Sequence, residues 1–151
     1  MGVVEKLGNH CKYSTNLKDA HNGFDIFILS SSIVACETEI KAINYLKFFK
    51  LPILVIGPFA STCPEKYIQQ GANVLIGEPD TSIMSNSEIL SQLTTKSKII
   101  YPSTKQVKLE DLPIPSWENI FKNKKCVMGF LGTGYSLPIY ASRGCPYSCF
   151  N

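Results

Sequence analysis

Long hydrophobic runs are what this sequence lacks first. Its longest, around residues 24–29 and 53–56, fall far short of the roughly 18 apolar residues that span a bilayer. Residues 1–10 carry no apolar h-region, so no secretory leader is expected. Gly2 would suit myristoylation, but Lys6 stands where that motif needs Ser or Thr. Charge is also scarce: charged residues make up 18% of the chain and the net charge is +3. That is too little to argue for nucleic acid. With 44% hydrophobic residues it also excludes a disordered polyelectrolyte. Lys122, Lys124 and Lys125 form the one dense basic cluster, read as a solvated loop. Internal repeats are absent. These absences predict a soluble cytoplasmic protein whose partners are small molecules, with no nucleic acid and no membrane. Its 151 residues are enough to bury about two-thirds of the unfolded surface.

Cysteine is present but not in a secretory pattern. Cys11, Cys36, Cys63 and Cys126 are scattered singly in apolar segments and read as buried or incidental thiols. Cys145 and Cys149 differ, because they lie four apart and are held by Gly144 and Pro146. In a loop this spacing turns both thiolates toward one metal centre. Two are short of the three or four ligands that a cluster or structural zinc takes, so a zinc half-site or a disulfide stays open at this point.

The first two-thirds of the chain alternates strand and helix. Residues 3–7 read as the tail of a helix ended by Gly8, and 12–17 as a short strand. Residues 19–23 are turn-like. Residues 24–30 (FDIFILS) form a nearly continuous apolar run, expected for a strand buried on both faces of a parallel sheet. A helix is predicted over 35–50, with Ile40, Ile43, Leu46 and Phe49 as its buried stripe. Residues 53–56 make a second strand, ended by Gly57 and Pro58. A short helix follows, with Pro64 in its first turn and Gly71 past its end. Residues 73–76 make a third strand, closed by Gly77 and Glu78. Ser85 and Glu88 have capping-box spacing and open a helix to about residue 93. The expectation is an α/β fold with an incomplete doubly wound parallel sheet, adjacent parallel strands and right-handed crossovers. The alternation stops near Thr95. Residues 99–101 read as a strand or hairpin arm and 109–115 (LEDLPIP) as a Pro-punctuated connector. Residues 116–121 read as one helical turn around Trp117, 129–134 as loop and 136–142 (SLPIYAS) as a strand start.

Residues 143–151 read RGCPYSCFN. This resembles the C-x3-C-x2-C motif of the radical SAM superfamily, ending one residue before its third cysteine. The resemblance implies that Cys145 and Cys149 are metal ligands to a [4Fe-4S] cluster whose fourth iron binds S-adenosylmethionine. It also implies that 136–142 is the first strand of a partial (β/α) barrel. LEDLPIPSW resembles the connector that precedes the barrel in radical SAM proteins with an N-terminal cobalamin-binding domain, and the α/β portion resembles that cobalamin-binding, flavodoxin-like domain. The implied cofactor-binding positions are Ser30, Ser31, Gly57, Pro58, Gly77 and Glu78, at carboxyl ends of strands, where open α/β sheets bind ligands. The pattern also departs from the family. Its first strand and most of its first helix are missing, residues 3–7 matching that helix's tail. Pro58 replaces a glycine. Residues 19–23 (DAHNG) are one residue short of the D-x-H-x-x-G box that donates a cobalt-ligating His, and they precede the strand that they should follow; a surface turn is the better reading of His21.

The resemblance divides the chain into a cobalamin-binding-like domain (1–95), a connector (96–135) and the start of a radical SAM domain (136–151). It implies the N-terminal fragment of a radical SAM enzyme, inactive alone. The parent enzyme would generate a 5′-deoxyadenosyl radical for methyl transfer or other radical chemistry. The rival expectation is a non-enzymatic α/β binding module with a degenerate cobalamin site; a small zinc protein is a third.

Overall fold

Ile53–Ile56 is the strand whose burial explains the rest. Ile53, Leu54 and Val55 are fully or almost fully buried, so apolar cover must lie on both faces, as in the centre of a parallel sheet. The computed structural model describes residues 1–102 and 107–118. Its strands are β1 (Phe27–Ser30), β2 (Ile53–Ile56), β3 (Asn73–Leu75) and β4 (Ile99–Ile100), hydrogen-bonded in the order β1-β2-β3-β4. All three pairings are parallel, with Phe27 beside Ile53, Leu54 beside Asn73 and Val74 beside Ile99.

Among the described residues six short α-helices cover the sheet: α1 (Gly2–Lys6), α2 (Cys36–Leu46), α3 (Pro58–Thr62), α4 (Glu65–Ile68), α5 (Pro79–Ser85) and α6 (Glu88–Ser91). One face packs Ile53, Val55 and Val74 against Ile43 and Leu46 of α2, Ala60 of α3 and Tyr67 of α4. The other packs Leu54 and Leu75 against Val3 of α1, Ile83 of α5, and Ile89 and Leu90 of α6. Each buried aliphatic side chain contributes about 1.5–3 kcal/mol relative to exposure. The sheet is therefore wound on both faces. The crossovers from β1 to β2 and from β2 to β3 run over the first face, and the one from β3 to β4 runs over the second. All three step the same way across the sheet, so the last has the opposite hand to the first two. The expectation of uniformly right-handed crossovers does not hold. Parallel crossovers are right-handed in about 98% of cases.

Several local expectations are corrected. Residues 12–17 form no strand; a 3-10 helix, Leu17–Asn22, follows them and ends at left-handed Gly23. β1 starts at Phe27 and has alternating exposure rather than burial on both faces, because it lies at the sheet edge. The helix predicted over 35–50 is α2 followed by a 3-10 turn, Lys47–Phe49. The capping box fails: Ser85 closes α5, where its hydroxyl donates to the Ser82 carbonyl. Two helices went unanticipated, α3 and α5, each with proline in its first turn.

Cys36 is buried and Cys11 and Cys63 are half-buried, all as free thiols. Burial, then the Glu5 carboxylate, pushes the Cys11 thiol up, away from reactive thiolate. Residues Met1–Pro115 form one compact unit and Ser116–Asn151 a second. Among the described residues no helix is long and apolar enough to cross a membrane. Cys126, Cys145, Cys149, the basic cluster and the strand expected over 136–142 lie outside the described residues.

Candidate functional site at the carboxyl edge of the sheet

The parallel topology brings the residues after β1, β2 and β3 to one edge of the sheet. Of the six positions expected there, Ser30 ends β1, Ser31 and Gly57 directly follow β1 and β2, Pro58 follows Gly57, and Gly77 and Glu78 lie two and three residues past β3. They are not equivalent. Ser30 ends β1 and is exposed, whereas Ser31 is buried. The Ser31 amide donates to the Ile56 carbonyl at 2.7 Å, and its hydroxyl oxygen accepts from the Ala60 amide at 2.8 Å. Ser31 thus braces the β1 loop to the start of α3.

Gly57 has φ 109° and ψ 174°, a conformation that side chains oppose. A Cβ there would stand 3.1 Å from both the carbonyl oxygen and the hydroxyl of Ser31. The space beside Gly57 is therefore filled by the chain itself. Pro58 is exposed and opens α3, offering no amide to a ligand. Ser61 then links two strand ends: its hydroxyl donates to the Gly57 carbonyl at 3.0 Å and accepts from the Gly77 amide at 2.9 Å. Gly77 is more open, since a Cβ there would meet only Pro102, at 3.7 Å. Exposed Glu78 occupies the position before α5 without a side-chain cap hydrogen bond to it. Around these lie exposed apolar groups: Ile33 and Val34, 74% and 93% exposed in the β1 loop, and Tyr101, 72% exposed after β4.

Beneath the β1 loop is a polar pair that the sequence reading missed. Glu39, on α2, is only 7% exposed. One carboxylate oxygen accepts from the Ser32 amide at 2.8 Å, and the other accepts from the hydroxyl of Tyr67, which is fully buried. Ser32 in turn accepts from the Ala35 amide at 3.1 Å. Burial, then the Glu39 carboxylate and the Cys36 thiol, push the Tyr67 phenol above its ordinary value. The signal was available: Glu39 lies three residues after Cys36 and four before Ile43, on the buried stripe of α2.

The edge therefore offers the exposed residues Ser30 and Ser32, the Glu78 carboxylate and an apolar rim that ends in the Tyr101 ring. Those features suit contact with a bound ligand better than acid–base or nucleophilic catalysis. His21 does not reach it. It precedes β1, at the opposite end of the sheet, where its ring lies 3.2 Å from the Tyr45 hydroxyl and stacks edge-on against Phe49. Two clefts among the described residues lie elsewhere. One of about 360 Å³ is lined by Lys47, Lys50, Gly71 and Thr95, and one of about 490 Å³ by Asp25, Ile26 and Glu88. Among the described residues no group of three or more His, Cys, Asp or Glu could hold a metal. No family model, no curated protein and no solved structure matches the chain.

Proposed function

We propose that the chain is the N-terminal portion of a cytoplasmic radical SAM enzyme, [4Fe-4S]- and S-adenosylmethionine-dependent, whose α/β domain faces cobalamin. The observation that carries the reading is the spacing of Cys145 and Cys149 in RGCPYSCFN. Two further features support it: the LEDLPIPSW connector, and a parallel sheet wound on both faces with Ser, Gly-Pro and Gly-Glu at successive strand ends. The cysteines would hold the cluster, which when bound supplies the electron that cleaves S-adenosylmethionine reductively. The domain's own part is positional. Ser30, Gly77 and Glu78 present an accessible edge, and Ile33, Val34 and Tyr101 offer apolar contact to a flat macrocycle. This chain alone is expected to be inactive.

The cluster is tested on the polypeptide continued through a third cysteine and a barrel. Anaerobic reconstitution should give about four irons and absorbance near about 410 nm. Cys145→Ala and Cys149→Ala should each abolish both. Full iron retention in either variant would remove the reading.

A second reading is favoured by one observation. The gap beside Gly57 is occupied by Ser31, and Pro58 supplies no donor. These fit a non-enzymatic binding module whose cobalamin site has decayed. Spectrophotometric titration with hydroxocobalamin separates the two. We expect weak binding, with dissociation in about the micromolar range or beyond. Nanomolar affinity would exclude the decayed module.

A further inference from the structure

A relay of hydrogen bonds runs from the core out to the carboxyl edge. It starts at the fully buried Tyr67 of α4, whose hydroxyl donates to the Glu39 carboxylate. The second Glu39 oxygen accepts from the Ser32 amide at 2.8 Å. The neighbour of Ser32, Ser31, accepts from the Ala60 amide at 2.8 Å through its hydroxyl. The neighbour of Ala60, Ser61, accepts from the Gly77 amide at 2.9 Å and donates to the Gly57 carbonyl at 3.0 Å. Sequence neighbours join each bond to the next. The path therefore runs unbroken through α4, α2, the β1 loop, α3 and the Gly77 turn.

The β1 loop is where this path meets Ile33 and Val34, which stand 74% and 93% exposed. Left free, a loop with two aliphatic side chains would turn them toward apolar surface. Here the residues on both sides of them are held. The Ser32 amide is bound to Glu39, and the Ala35 amide donates to the Ser32 hydroxyl at 3.1 Å. Among the described residues no lysine or arginine pairs with Glu39, so its charge is satisfied by the Ser32 amide and the Tyr67 hydroxyl. Opening the loop would leave a desolvated carboxylate short of a donor, which is costly.

We infer that Glu39 and Tyr67 are positioning residues for the carboxyl edge: a buried latch that holds the β1 loop with Ile33 and Val34 outward and sets the Gly57 and Gly77 turns along with it. Neither side chain has to touch a ligand. An edge ordered before binding loses less entropy when a ligand arrives. That the ligand is a corrin rests on the reading above; that the edge opens and closes as one unit does not.

Amide hydrogen exchange of the 151-residue chain tests this. Glu39→Ala removes both bonds of the latch. The Ser32 amide loses its acceptor directly, so the informative amides are the remote ones, Ala60 and Gly77. Both should exchange at least about tenfold faster. Val74, whose amide donates to the Lys98 carbonyl at 3.0 Å between β3 and β4, should keep its rate. Glu39→Gln should stay close to wild type, because its carbonyl can accept from Ser32 and its NH2 can donate to the Tyr67 oxygen. Acceleration confined to Ser32 overturns the latch. So does equal acceleration of Val74, which marks a general loss of stability, and so does a Glu39→Gln variant as loose as Glu39→Ala. If Glu39→Ala fails to fold, Tyr67→Phe decides on the same amides, since it keeps the ring and removes only the donor; unchanged Ala60 and Gly77 then overturn the latch. Excess hydroxocobalamin separates the latch from the corrin. Bound at this edge, it should slow the Ser32, Ala60 and Gly77 amides together. Slowing of one alone overturns the latch. Slowing of none, with the variants behaving as expected, removes the corrin from this edge and upholds the latch.

Discussion

The two faces of this sheet are organised differently. The face under α5 and α6 is mostly apolar, with Leu54, Leu75, Ile83, Ile89 and Leu90 at its centre; its buried polar side chains are Ser82 of α5 and Asn73 of β3, whose amide donates to the Ile53 and Thr94 carbonyls. The face under α2 and α4 encloses the Glu39–Tyr67 pair, whose free carboxylate oxygen reaches the Ser32 amide. An apolar layer is indifferent to small shifts of its parts. A buried carboxylate is not, since each unmade hydrogen bond leaves a desolvated charge short of a partner. The polar face therefore fixes the β1 loop, and through Ser31 the start of α3, while the apolar face only holds the sheet closed.

The largest expected effect breaks that comparison if it fails. Tyr67→Ala should cost about 4–5 kcal/mol, the upper end for truncating a buried aromatic, because it opens a cavity and strands Glu39. Leu75→Ala, equally buried on the other face, should cost about 3 kcal/mol. Urea denaturation measures both. If Leu75→Ala costs as much as Tyr67→Ala, the polar pair adds nothing beyond volume.

The next effect lies at the carboxyl edge and compares its braced and open ends. Gly57→Ala meets both a positive φ and the 3.1 Å contacts with Ser31, and should cost about 2–3 kcal/mol. Gly77 has φ 80° but only ordinary contact with Pro102, so Gly77→Ala should cost about 1–2 kcal/mol. Equal losses would mean that the Ser31 contact relaxes freely and that the first strand end is no more rigid than the third.

How much was legible beforehand follows from the same physics. β2 was read to its residue limits because a central strand announces itself by continuous apolar sequence. β1 was read as equally buried because hydrophobicity reports what a strand wants, not how many neighbours it has; only its place in the sheet order makes Ile28 exposed. Gly57-Pro58 was read as the end of a strand and as a cofactor-binding position, yet proline suits the first turn of a helix as well as the end of a strand, and α3 begins there. Ser85 and Glu88 had the spacing of a capping box, but Pro79 started a helix earlier and absorbed Ser85 into it. At the candidate site, the strand-end positions were legible from small residues after apolar runs. What the sequence hid was that Ser31 is engaged by Ala60 and that Glu39 is paired with Tyr67, since both partners lie 28 or more positions away.

The smallest effect is one of pH. The folded chain holds the Tyr67 phenol above its ordinary value, chiefly through burial and next through Glu39. A group whose pKa is raised by folding contributes stability that is whole below its unfolded pKa, about 10 for tyrosine, and declines above it. Protonated Tyr67 should therefore leave stability unchanged from neutral pH to about 9, and its ionisation in the unfolded chain should draw stability down above about 10. The limiting slope for one proton is about 1.4 kcal/mol per pH unit. The chain has seven tyrosines, so the informative quantity is the difference between wild type and Tyr67→Phe. That variant removes the ionisable hydroxyl and retains the ring against Phe59. The gap between their unfolding free energies should be constant up to about pH 9 and should narrow above about 10, because only the wild type loses the Tyr67 contribution. A gap that holds steady through pH 11, at about one unit above the ordinary tyrosine value, would mean that Tyr67 ionises as readily in the folded chain as in the unfolded one. The hydroxyl would then not be donating to a buried carboxylate, and the contrast between the two faces would reduce to packing alone.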